Sequence, residues 1–316
     1  MMLNIIKRNF STSFTIFIFA GVIITLAFIS PSFFDFYNIL SVLGQATFVA
    51  IPAVGLSMIM ISGNFNLSFV GVIGVSAVTV GVLMSRGVPL FIALLVGLAI
   101  CLAVDLSNAF LIIKMKIHPW LCTLATMLAM LGLETAISGG YFISARSSLF
   151  MDLRFGSFLG FPFAVWILAL VFLVFYYVMH KRPLGFHIYA VGTNPEAARK
   201  AGIKVDLVKF IPWIFMAILS WVTSFMYLIQ LSGYPPEAAN ISLLTVILAV
   251  FFGMAISTKN VINVPGTVLG AVFVALMGNG LSLAGVSSYW IKLVEGVILI
   301  AVIMSNSLGS DELVQL

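Results

Sequence analysis

"GTNPEAARKAGIKVD", residues 192–206, is a polar island in an apolar chain. It carries Glu196, Arg199, Lys200, Lys204 and Asp206, whereas only 8% of the 316 residues are charged. Its local signals describe a short helix in water. Asn194 can cap the helix start, Pro195 suits the first turn, and Glu196 complements the positive helix end. "PEAARKA" has high helix propensity, and Gly202 supplies a stop. Ala197, Ala198 and Ala201 would give the helix a small, smooth face flanked by Arg199 and Lys200. Such a face suits insertion into a groove on another protein. The plainer alternative is a charged surface loop.

The surroundings explain why this helix stands out. Hydrophobic residues make up 62% of the chain, and the mean hydropathy is +1.21. Soluble domains are closer to half apolar and a quarter charged. The composition therefore predicts an all-α, polytopic membrane helix bundle. The net charge of +5 rests on few, scattered basic residues, which indicates membrane orientation rather than nucleic-acid binding. Cys101 and Cys122 fall in apolar segments and read as small core residues rather than a disulfide or metal pair.

A span needs about 20 apolar residues, and about ten transmembrane helices are expected. They lie near 13–30, 39–61, 68–84, 90–113, 120–138, 160–180, 209–231, 241–256, 263–284 and 289–306. The first is read as an uncleaved span, because its apolar run is long for a signal peptide and no Ala-x-Ala site follows. "SGNFNLS" (62–68) is too short and polar for an ordinary loop, and predicts a kink or a discontinuous helix. Ten crossings put both termini on one side. If that side is cytoplasmic, Lys7, Arg8, Lys114, Lys116, Lys259 and the basic residues of 181–209 lie inside. Only Arg86, Arg146, Arg154 and Lys292 lie outside. This asymmetry favours cytoplasmic N and C termini. The expected organisation is one transmembrane domain over 1–316, with 181–209 as a cytoplasmic segment.

Several stretches resemble one family. "GFHIYAVGTNPEAARKAGIKVDLVKF" (185–210) is similar to the coupling segment of ribose/xylose/galactose-type ABC transporter permeases, which read G-x-x-I-Y-A-I-G-G-N-x-x-A-A-x-x-x-G-I-x-V. The matches are Gly185, Tyr189, Ala190, Gly192, Asn194, Ala197, Ala198, Gly202, Ile203 and Val205. "NAFLIIKMKIHPWLCTLATM" (108–127) resembles the family's N-G-x-L-I…K-I-P-x-F-I-x-T-L-G-T-M. "NGLSLAGVSSYW" (279–290) resembles N-G-L-N-L-x-G-V-S-S-F-W, and "ISGNFNLSFVG" (61–71) a decayed I-S-G-G-I-D-L-S-V-G. The resemblance runs from about 40 to 305.

It implies the inner-membrane subunit of an ATP-driven sugar importer in a bacterial cytoplasmic membrane. A soluble binding protein would deliver a sugar-like solute, and two permease subunits would form the path. A separate ABC ATPase, holding the ATP and Mg, would grip Asn194, Pro195, Glu196, Ala197, Ala198, Arg199, Ala201 and Gly202. This chain needs no cofactor of its own and has membrane lipid as its surroundings. It carries no G-x-x-x-x-G-K-[ST] phosphate loop, no H-E-x-x-H and no paired metal-ligand spacing.

Two departures from the family matter. Asn66 replaces the usual Asp, removing an intramembrane charge. "FFGMAISTKNVINVPGT" (251–267) keeps Gly253 and Gly266-Thr267 but has lost most of a glycine-rich pattern. The loss suggests a second, different permease subunit that retains that role. Asn64, Asn66, Ser68, Asn108 and Asn279 are candidate pathway residues for an uncharged polyol, with interhelical hydrogen bonding as the alternative. Asp105, Glu134 and Glu295 fall within expected spans and are candidates by position. Glu295 follows Lys292 at helix-compatible spacing. His118, His180 and His187 are expected at the inner edge. A self-contained secondary transporter and a non-transporting paralogous scaffold are the alternative readings.

Overall fold

Helices account for almost all regular structure in the computed structural model of the chain, which describes residues 19–25, 28, 30–257 and 261–309. They are α1 (Phe36–Ile61), α2 (Phe69–Ser85), α3 (Leu90–Ile113), α4 (Pro119–Ser138), α5 (Ser148–Phe155), α6 (Phe163–Lys181), α7 (Pro183–Thr193), α8 (Pro195–Lys200), α9 (Val205–Leu231), α10 (Leu243–Ala255), α11 (Val264–Leu283) and α12 (Ser288–Gly309). β1 (Ile143–Ser144) pairs antiparallel with β4 (Gly233–Tyr234), and β2 (Ser157–Phe158) with β3 (Phe161–Pro162).

Nine of the expected spans coincide with apolar helices. Six of these, α1, α3, α4, α6, α9 and α11, are long and apolar enough to cross a membrane. The expected span 13–30 lies outside the described residues apart from helical residues 19–25 and 28 and the extended Ser30. Lys7, Arg8 and Lys259 also lie outside them. The lateral faces of α3, α4 and α6 carry exposed Phe91, Leu95, Leu121, Leu128, Leu170 and Leu173. Apolar surface on that scale belongs against lipid rather than water. The chain is an all-α, multi-pass membrane protein.

The structure divides into two compact units, Val54–Leu243 and the remainder. In the Val54–Leu243 unit, α2 packs against α3, α4 and α9. Most of α2 is buried around its whole circumference, as befits a helix screened from lipid by its neighbours. Small residues allow this. A Cβ on Gly71 would crowd the Cβ of Met130 at 2.7 Å, and one on Gly97 would meet Val80 at 2.8 Å. Close small-residue packing with hydrogen bonds as glue is how helices associate in lipid. Ser76 Oγ and Ser224 Oγ lie 3.0 Å apart, and Trp221 Nε1 donates to Leu94 O at 2.9 Å.

In the other unit the retained glycines of 251–267 have a structural reason. Cβ atoms on Gly253 and Gly266 would each run into the other's backbone, and one on Gly270 into the Ala249 carbonyl. Helices α10 and α11 meet backbone to backbone there, and Phe252 stacks on Phe273 with ring centroids 4.2 Å apart. The Lys292–Glu295 spacing is realised as an ion pair of 3.0 Å, with Thr245 Oγ1 also donating to Glu295 at 2.9 Å.

Candidate functional site

The polar island folds as its residues dictate. Asn194 has extended backbone (φ −152°, ψ 95°), and its side chain accepts from the Ala197 N–H at 2.9 Å. Pro195 occupies the first turn and Glu196 follows it. At the other end Gly202 has φ +85° with open space around it. The Gly202 N–H donates to Arg199 O and the Ile203 N–H to Ala198 O, both at 3.0 Å. These two bonds form a Schellman stop. Asn194, Glu196, Ala197, Arg199, Lys200, Ala201 and Gly202 are exposed, with Pro195 half-buried.

Ala198 corrects the expected smooth face. It is only 5% exposed, because it turns inward against its own chain. The outward small-residue surface is therefore Ala197 and Ala201. Ala198 stands about 100° around the helix from Ala197, on the side that packs inward, where it anchors the helix.

The polar segment is also more helical than expected. Arg182 is extended before Pro183, as a residue preceding proline should be, and α7 then runs to Thr193. Gly185 in α7 lies against the backbone of Met179, and Gly192 against the backbone of Ile61. A Cβ on Gly192 would overlap the Ile61 carbonyl oxygen and stand 2.9 Å from its carbon. The helix that leads into α8 thus abuts the end of α1, where the chain breaks. Tyr189, in the same helix, is pushed up to about 12 by burial, so its hydroxyl stays neutral.

The break is real: residues 62–68 separate α1 from α2, with Gly63 at φ +79°. Phe65 stacks on Trp120 with 4.2 Å between centroids and 4° between planes. Asn66 Oδ1 accepts from the Ser68 N–H at 2.8 Å and from its hydroxyl at 2.7 Å. Asn66 Nδ2 donates to Asp105 Oδ1 at 3.2 Å. Asn108 Nδ2 donates to Ser68 Oγ at 2.9 Å, and Thr126 Oγ1 to Asn108 Oδ1 at 2.7 Å. Asn66, Ser68, Asp105 and Asn108 are at most 1% exposed.

Three of the five pathway candidates therefore converge, but on one another rather than on an open path. Their bonds run between segments and hold the break to α3 and α4. Asn64 is half-buried beside them and donates to Ser62 Oγ at 3.2 Å. Asn279 belongs to the other unit, where it accepts from Asn38 Nδ2 at 3.0 Å. Position alone could not assign Asp105 to the network; its partnership with Asn66 requires the fold. Its other oxygen is buried with no partner among the described residues.

The remaining candidates are placed as follows. Glu134 is buried and accepts from the Glu237 N–H, pinning a loop at the opposite end of α4 from Trp120. His118 and His187 are exposed, and His180 is half-buried. Cys101 and Cys122 are buried and free. Among the described residues no group of His, Cys, Asp and Glu could hold a metal.

Comparison with known proteins extends this picture. A family model described as branched-chain amino acid transport system / permease component matches residues 38–303. The ribose import permease protein of Haemophilus influenzae is 30% identical over 303 residues, 93% of this chain and 94% of that protein. The ribose import permease protein of Bacillus subtilis is 31% identical over 287 residues, covering 90% and 89%. The L-arabinose transport system permease protein of Escherichia coli is 27% identical over 288 residues, covering 91% and 88%. No solved structure matches the chain.

Proposed function

The chain belongs to the branched-chain amino acid transport system / permease component family, and from that premise we propose that it is the membrane-spanning subunit of an ATP-driven importer of a sugar or sugar-like solute. Similarity to ribose and arabinose permeases along nearly the whole chain supports a sugar within this broad family. The observation that carries the mechanism is the close approach of Gly192 to Ile61. A partner ATPase grips the exposed side of α8, and its closure moves α7. Backbone contact passes the movement to the 62–68 break and its hydrogen-bonded anchor on α3 and α4.

The finer arrangement is part of the same proposal. Residues 1–316 form one permease domain with ten spans, in a bacterial inner membrane. Both termini and the 181–209 segment are cytoplasmic. A binding protein delivers solute from outside. A second permease subunit of different sequence completes the path, a reading supported by the loss of most of the glycine-rich pattern from 251–267, where glycines remain only at the contact of α10 and α11. Crosslinking that recovers only self-pairs would overturn that pairing. ATP and Mg are held by the ATPase.

Co-purification in mild detergent tests the docking helix. Ala201→Arg puts a long cation on its exposed side without disturbing the buried Ala198. Native chain should retain an ATPase and the variant should release it while remaining folded. Equal retention would remove α8 from the docking role.

The buried acids Asp105 and Glu134 give the secondary-transporter reading its specific support, as candidate ion-coupling groups. Asp105→Asn separates the two readings. ATP-driven uptake should survive it, whereas proton-coupled uptake should collapse.

A further inference from the structure

Two cavities lie between α8, the 114–118 turn and the start of α9. One, of about 570 Å³, is lined by Lys114, Arg199 and Lys204 with the apolar Leu207 and Phe210. The other, of about 360 Å³, is lined by Lys116, His118, Arg199 and Lys209. Arg199 and Asp206 border both. Asp206 is the acid among the lining residues, and Lys114 already holds it at 2.6 Å. Arg199 borders both cavities, Lys204 the first, and Lys116 and Lys209 the second, so the cations of the two adjoining cavities outnumber the single carboxylate they share.

With Asp206 paired to Lys114, the cluster keeps an excess of positive charge that a further anion would offset. The rim of the cluster indicates the kind of anion. Leu207, which lines the first cavity, is 62% exposed, Met115 between Lys114 and Lys116 is 58% exposed, and Leu121 in the first turn of α4 is 67% exposed. Cations beside apolar side chains at the end of a helix bundle match an amphiphile with an anionic head. An acidic protein surface would satisfy the charges but would leave that apolar rim in water.

We propose that this cluster binds the headgroup of an anionic phospholipid of the inner leaflet. The phosphate would lie among Arg199, Lys116 and Lys209, and the acyl chains along Leu207 and Leu121. The lipid would tie the docking helix to the ends of α3 and α4, so coupling would depend on membrane composition. This rests on the reading that places α8 at the cytoplasmic face.

The test is native mass spectrometry of the full chain with its ATPase, titrated with phosphatidylglycerol or phosphatidylcholine. Three proteins are compared: native, K116Q/K204Q/K209Q and K116R/K204R/K209R. Native protein should retain phosphatidylglycerol and not phosphatidylcholine. The glutamine variant should bind it on the order of a hundredfold more weakly, about fivefold per cation removed. The arginine variant should bind as the native does. Equal retention of both lipids, or undiminished binding by the glutamine variant, would overturn the lipid site. Loss of the ATPase with undiminished lipid binding would assign these lysines to the protein interface instead, and overturn it too. Native chain that binds phosphatidylglycerol but never an ATPase would leave the lipid site standing and sink the coupling reading.

Discussion

Replacing Gly192 with alanine should uncouple the protein without detaching its ATPase. The added Cβ would overlap the Ile61 carbonyl oxygen and stand 2.9 Å from Ile61 C and 3.3 Å from Ser62 C. Non-bonded carbons pack at about 3.5–4.0 Å. Helix α7 and the end of α1 must therefore part by at least about 0.6 Å along the line to carbon, and by more towards the oxygen. Both obstacles are backbone, so no side-chain rotation relieves them. Overpacking of this kind costs about 1–3 kcal/mol, and a backbone obstacle puts this site near the upper end. At about 1.4 kcal/mol per tenfold, the packed contact becomes on the order of a hundredfold less populated. The exposed side of α8 is untouched, so ATPase binding should persist. The assay is ATP-driven sugar uptake into proteoliposomes, with ATPase retention measured in parallel. Gly192→Ala should reduce uptake at least tenfold. Gly202→Ala is the control, since its φ of +85° makes alanine strained by about 1–2 kcal/mol but no neighbour stands in the way. Native uptake by Gly192→Ala, with its ATPase bound, would refute transmission through this contact. Equal losses in both variants would attribute the effect to helix strain rather than to contact.

Three further outcomes follow from hydrogen bonds already described. Asn194→Ala removes the acceptor of the Ala197 N–H and should destabilise α8 by about 1 kcal/mol; amide exchange at 197–200 should accelerate roughly fivefold. Asn66→Asp would face Asp105 with a second buried carboxylate in place of a donor, costing roughly 3 kcal/mol, and the exchange N66D/D105N should restore most of the thermal stability in detergent. No rescue by the exchange would show that the pair is not a matched couple. Lys292→Ala leaves Glu295 buried without its cation and should lower the melting temperature more than Lys292→Ala combined with Glu295→Gln; the reverse order would mean that the pair contributes nothing.

What could be read in advance was whatever depends on neighbours along the chain. Asn194, Pro195 and Gly202 signal their helix because caps and stops act within one turn. The apolar runs locate nine helices because lipid demands continuous apolar length. The break at 62–68 shows itself through polarity where a span should continue. Helix α7 was hidden because Lys181, Arg182, Pro183, Gly185 and Gly192 read as a polar connection rather than a helix.

Contacts between distant segments had no local signature. Ala198 shares its residue type with Ala197 and Ala201, yet burial separates it from them. Gly192 looks like a poor helix residue until Ile61 is placed against it. Asn66 was the sharpest case. Read alone, it is a lost carboxylate. In the fold its amide donates to Asp105, a bond that an ionised Asp at 66 could not make because a carboxylate only accepts. The acid therefore remains in the site, but one hydrogen bond away on α3, and the neutral residue at 66 is the partner that makes burying it tolerable.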